Sequence, residues 1–193
     1  NEANLNEGIR RASPGAKGYG DYREVLERKD VDLVLIGTPD HWHCPMMVAA
    51  VEAGKDVYCE KPMSHSIEEG AETVRKVRKT DRIVQVGMQR RSSEAVHAAK
   101  AVVDAGTLGA VYEVDARWNW NIARKLNNSP FSQKIDWERF RGPNSTMEYQ
   151  PMYVRYWRYF WDFSGGNCTD QGTHLMDVVR WFMGSPPPRA AVC

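Results

Sequence analysis

No stretch of about 18 consecutive apolar residues occurs in this 193-residue chain, so no segment is long enough to cross a membrane as a helix. Charge of one sign is not in excess either. The 26 lysines and arginines meet 25 aspartates and glutamates, a formal net charge of +1. That balance argues against a nucleic-acid partner held on a basic face, and against an acidic tail. Cysteine is sparse: Cys44, Cys59, Cys168 and Cys193 form no C-x-x-C pair. This rules against a disulfide scaffold and against a structural zinc site, and the expectation is reduced thiols in the cytoplasm. A periplasmic location stays open, because the chain does not begin with Met. Internal repeats and low-complexity tracts are also missing. What is present, 42% hydrophobic and 10% aromatic residues, fits a folded globular domain.

Two textures divide the chain. Up to about residue 110, short apolar runs alternate with amphipathic stretches. Residues 31–37 are an apolar, β-branched run ended by Gly and Pro, which predicts a buried strand. Met46 to Ala53 reads as a helix closed by Gly54. Asp56 to Cys59 is a short second strand. Ser66 followed by Glu69 is a capping-box pattern that starts a helix running to about Thr80. Arg82 to Gly87 predicts a third strand, Glu94 to Ala105 a third helix, and Val111 to Trp118 a fourth strand. Thr169 to Met183 reads as one more helix, ended by Gly184 and the prolines at 186–188, and Cys193 lies in what reads as the start of a strand. Strands alternating with helices indicate βαβ units and a parallel sheet, hence the α/β class. Residues 118–165 are aromatic, polar and poorly periodic, and five of the seven tryptophans there mark a change of architecture. The aromatic side chains, Trp118, Trp120 and Trp137 among them, suit either a core or a wall for sugar C–H faces.

Ligands of an open parallel sheet bind beyond the carboxyl ends of its strands. Three such ends are polar here: Gly37-Thr38-Pro39-Asp40-His41-Trp42-His43, Glu60-Lys61-Pro62, and Gly87-Met88-Gln89-Arg90-Arg91. A partly desolvated lysine at a strand end is placed to polarise a hydroxyl or carbonyl. As a bare tripeptide, Glu60-Lys61-Pro62 reads more readily as a surface ion pair at a helix start. Asp170 and His174 stand at i, i+4, so a helix puts both on one face, with Asp177 three further on. A histidine beside a carboxylate is a general acid/base. The same spacing also fits a helix cap with a core histidine, or three ligands of a mixed oxygen–nitrogen metal site. His41, His43 and Cys44 match no spacing that closes a zinc tetrahedron, and no metal is expected. Gly15 to Gly20 runs G-x-x-G-x-G with no strand before it, so it is not the G-x-G-x-x-G dinucleotide fingerprint.

Thr38-Pro39 with His43, then Glu60-Lys61-Pro62, then Asp170-x-x-x-His174, in that order, resemble the glucose–fructose oxidoreductase / inositol dehydrogenase family (Gfo/Idh/MocA). Ala49-x-x-x-Ala53-Gly54-Lys55-x-Val57 between the first two makes the set specific, and the match runs from about Tyr22 to Gly184. The resemblance implies a Rossmann domain holding NAD or NADP, here its C-terminal part over residues 1–108. An incomplete α/β substrate and oligomerisation domain with an open sheet would follow over 109–193. It implies that Thr38, Pro39, His43, Glu60, Lys61 and Gln89 bind the nucleotide. Lys61 would hold the reacting hydroxyl, His174 would take its proton, and Asp170 would orient the substrate and assist His174. Arg158 and Trp161 would join Lys61, Asp170 and His174 around a sugar or polyol. A homo-oligomer, dimer or tetramer, is implied. The family's first strand, glycine loop and C-terminal sheet are missing, so the chain is expected to be a piece of a longer protein. The function expected is hydride transfer between nicotinamide and a hydroxyl-bearing carbon. Redox-assisted glycoside cleavage and a non-catalytic role are the alternatives.

Overall fold

The computed structural model describes residues 2–119, 125–143, 145–184 and 190. Trp120, the prolines at 186–188 and Cys193, on which expectations fell, lie outside that set. Helices α1 (Glu2–Arg11) and α2 (Tyr22–Leu26) precede strand β1 (Leu33–Ile36). A 3-10 turn, Asp40–Trp42, leads into α3 (His43–Glu52), followed by β2 (Asp56–Glu60), α4 (Ile67–Val77) and β3 (Val84–Gly87). A second 3-10 turn, Gln89–Ser92, joins β3 to α5 (Glu94–Asp104). The second half holds α6 (Trp137–Arg141), α7 (Pro151–Arg155), a 3-10 turn at Trp157–Tyr159, and the long α8 (Gly166–Met183).

Among the described residues the three strands form one parallel sheet in the order β1-β2-β3. Register pairs Ile36 with Cys59 and Glu60 with Gly87, so the carboxyl ends finish side by side. Each crossover carries a helix, as parallel pairing demands. The core lies on one face only. Ile36, Val57 and Cys59 point to Cys44, Met47, Ala50 and Val51 of α3, all buried. Tight turns place the helix there, since Gly54 adopts φ 76° just past its end.

The opposite face corrects the expectation of a doubly buried first strand. Leu33 is 59% exposed and Leu35 68%. Side chains alternate along a strand, and no described element covers this face. The fourth strand expected at 111–118 is also absent from the described structure. Those residues are irregular, and Tyr112 is almost fully exposed. Alternating hydrophobicity makes a strand only where a neighbour completes the ladder, and none does so here.

The capping box forms as read: Glu69 N–H donates to Ser66 Oγ at 3.2 Å, and Ser66 N–H donates to Glu69 Oε1 at 3.2 Å. Ser66→Ala should therefore cost about 1 kcal/mol. Urea unfolding with an unchanged slope would read it. No loss in midpoint would mean that tertiary packing alone holds the start of α4.

Candidate active site

Two of the three strand ends meet at a cavity of about 390 Å³. Gly37, Thr38, Pro39 and Asp40 come from beyond β1, and Glu60 and Lys61 from the end of β2. Trp157 and Arg158 close it from the second half of the chain. The third loop does not line this cavity. Gln89 is exposed, and its neighbour Arg91 instead grips α8, with Nε 2.9 Å from both carboxylate oxygens of Asp177. Asp177 is therefore engaged by Arg91. Among the described residues no group of three or more His, Cys, Asp or Glu side chains is arranged to hold a metal.

Lys61, on the cavity wall, meets Asp170 of α8. The Lys61 ammonium donates to the Asp170 backbone carbonyl at 2.8 Å and forms an ion pair with Asp170 Oδ1. Both side chains are largely buried. An ammonium has three donors, and these contacts use two. Asp170 Oδ2 accepts from Gln171 Nε2 at 2.9 Å and lies 3.3 Å from Arg158 Nε. Burial pushes the Asp170 carboxyl up, but Lys61, Arg158 and Gln171 outweigh it and hold the group below the usual aspartate value. The Arg158 guanidinium also lies over the Trp157 ring, 4.1 Å from its centroid.

His174 is buried one helical turn beyond Asp170 on the same face. Burial, then the nearby charges of Lys61 and Arg90, lower its pKa below that of an ordinary histidine, against the pull of Asp170 and Glu60. The imidazole thus stays neutral, and able to accept a proton, to lower pH.

His43 does not sit on the cavity wall. It is buried beneath it, with Nδ1 2.6 Å from the Pro62 carbonyl and Nε2 2.9 Å from the Thr38 carbonyl. It ties the loop after β1 to the loop after β2. Trp161 is likewise away from the cavity: it is 80% exposed, and its carbonyl lies 2.6 Å from His65 Nε2. Trp157 lines the cavity. Sequence reading gave no role to Asp40, a buried carboxylate on the wall that accepts from Ser164 Oγ at 2.6 Å. A carboxylate two residues past Thr38 in a strand-end loop was the available signal. Gln171, beside Asp170, left no signal.

Thr38 Oγ1 is buried without a hydrogen-bond partner, in a residue on the cavity wall. Such an orphan calls for a ligand donor or acceptor. With the Glu60 carboxylate on the same wall, the residues fit a hydroxyl-rich group such as the ribose–nicotinamide end of a dinucleotide. The thiol of Cys59, one residue before Glu60, is fully buried, and burial pushes its pKa up to about 12.

A family model described as "Oxidoreductase family, NAD-binding Rossmann fold" matches residues 3–88, and one described as "Oxidoreductase family, C-terminal alpha/beta domain" matches residues 92–188. Levoglucosan dehydrogenase of Pseudarthrobacter phenanthrenivorans is 28% identical over 180 residues, which covers 90% of this chain and 40% of that one. The scyllo-inositol 2-dehydrogenase (NAD(+)) of Bacillus subtilis is 43% identical over 89 residues, covering 46% of this chain and 26% of the relative. Among solved structures, an oxidoreductase domain protein from Kribbella flavida superposes with a TM-score of 0.59 at 30% identity, over 86% of this chain and 38% of that one. The chain spans about two fifths of the length of the curated relatives that it matches over most of its own residues.

Proposed function

This chain belongs to the Gfo/Idh/MocA oxidoreductase family, and from that premise we propose that it carries the reacting end of an NAD(P)-dependent dehydrogenase for a sugar or cyclitol. The observation that carries the reading is the ion pair between Lys61 on the cavity wall and Asp170 of α8, from elements more than a hundred residues apart in sequence, with His174 one turn further along the same helix and near enough to feel the charge of Lys61. Relatives named as dehydrogenases of levoglucosan and of scyllo-inositol support the polyol class. Redox-assisted glycoside cleavage draws no support from the relatives, and is dropped.

Thr38 and Glu60 would hold the nicotinamide ribose. When bound, the nicotinamide supplies the hydride acceptor that the protein's own side chains lack. Lys61 directs its remaining N–H at the substrate oxygen and stabilises the negative charge that grows there. His174 takes the hydroxyl proton on a ring nitrogen as the carbonyl forms. Asp170, engaged by Lys61, Gln171 and Arg158, has the task of fixing Lys61. Trp157 and Arg158 close the cavity against water.

The test is a pH series of nicotinamide reduction with inositols and anhydrosugars, read for wild type and for His174→Asn. Because His174 is depressed, kcat/KM should hold through the ordinary histidine range. It should fall only as pH drops through the lower value, where the ring gains a proton. His174→Asn should lower kcat by about 10²-fold or more and remove that acid limb. No reduction with any polyol, or an acid limb that survives in the variant, would overturn the reading.

A further inference from the structure

The turn after β1 hands three consecutive side chains to the second half of the chain. Asp40 Oδ2 accepts from Ser164 Oγ, His41 Nε2 lies 2.7 Å from the Phe140 carbonyl, and Trp42 Nε1 donates to that carbonyl at 3.0 Å. Only Asp40 of the three is on the cavity wall. Asp40 is 3% exposed and Ser164 1%. A carboxylate accepting a hydroxyl hydrogen away from water makes a stronger bond than a neutral pair does.

Ser164 stands two residues before α8, and the link between them has little slack. A Cβ on Gly165 would lie 2.5 Å from the Thr169 side chain. Gly166 adopts φ +71°, a left-handed value that glycine takes without strain. A displacement of Ser164 is therefore passed into the first turns of α8, where Asp170 holds Lys61.

We propose that Asp40 is a positioning residue: by accepting the Ser164 hydroxyl it seats the start of α8, and so fixes the point at which Asp170 holds Lys61. The proposal rests on the role given to Lys61 above. Asp40 shares its surroundings with other charges, since Asp170 and Arg158 act on it from the second half and His43 from below.

The test reads Lys61 directly. The intact protein is acetylated with acetic anhydride, and the rate at each lysine is followed by peptide mass mapping. Lys55 serves as the internal control, because it is also buried, with Nζ 2.6 Å from the Arg28 carbonyl, and owes nothing to Ser164. In Asp40→Leu and Ser164→Ala, Lys61 should label roughly fivefold faster or more, while Lys55 keeps its rate. The double variant should be no faster than either single one, because both remove the same bond. Asp40→Asn keeps an acceptor and should leave Lys61 at the wild-type rate. If Asp40→Leu fails to fold, Ser164→Ala and Asp40→Asn still make the comparison. Equal Lys61 rates in all variants, or Lys55 rising in step with Lys61, would overturn the proposal. Polyol turnover is measured alongside. A wild-type protein without turnover, but with the selective rise at Lys61, would discard the dehydrogenase reading and keep the positioning one.

Discussion

Exchange of Lys61 for methionine is expected to lower kcat by about 10²–10⁴-fold, with nucleotide affinity little changed. Methionine keeps much of the stem and removes every donor. The loss falls on kcat because the lysine's interaction with the substrate oxygen strengthens as negative charge develops there, which is a transition-state effect rather than a uniform one. Nucleotide affinity is spared because Thr38 and Glu60 lie on the cavity wall independently of the ammonium. Steady-state kinetics together with a fluorescence titration of the nucleotide separate the two. A drop in kcat of less than about tenfold would mean that Lys61 is only an anchor for Asp170.

Replacing Phe163 by alanine should cost about 3–5 kcal/mol of stability. The ring is fully buried, with 0% exposure. It meets His41 at 5.0 Å, Phe140 at 5.4 Å and Trp137 at 5.9 Å between ring centroids, the last two edge-to-face. Such aromatic contacts add to the burial of area itself. His41 belongs to the turn after β1, while Phe140, Trp137 and Phe163 belong to the second half, so the cavity left behind would open a seam between the two. The neighbours are rings held by other contacts, including Trp137 Nε1 donating to the Met147 carbonyl at 3.0 Å, and they have little room to collapse. Denaturant unfolding gives the number. A loss below about 1 kcal/mol would show that the surrounding rings repack.

The nucleotide-binding half was legible because its signals are local. Ser66 and Glu69 announce their helix within four residues, and Gly54 closes α3 where the apolar period stops. The loops carrying Thr38 and Lys61 could be read because a strand end is recognisable without its partners. Residues 111–118 could not, because alternation states which side chains share a face, not whether a neighbouring strand exists. Leu33 and Leu35 misled for the same reason: an apolar run does not say how many of its faces are covered. That Trp157 and not Trp161 lines the cavity could not be read from periodicity. Residues 156–163 pass through a 3-10 turn and bends, so no regular repeat fixes which ring faces the cavity. The pairing of Lys61 with Asp170 spans 109 positions and follows no spacing rule, so only the family resemblance brought the two together beforehand. His43 was placed on the nucleotide by that resemblance. The structure gives its ring two backbone carbonyls as neighbours, contacts that sequence alone does not reveal.

The contact between Lys61 and Asp170 has a thermodynamic consequence. It fastens the end of β2 to α8 and leaves one donor of the ammonium unused. On the proposed reading a substrate oxygen takes that third donor while the other two stay engaged, so substrate and fastening would restrain the same ammonium. By linkage, whatever strengthens the fastening would then favour the substrate, and substrate would strengthen the fastening by the same factor. Substrate affinity and cohesion of the two halves would rise and fall together, and conditions that part the halves should weaken substrate binding.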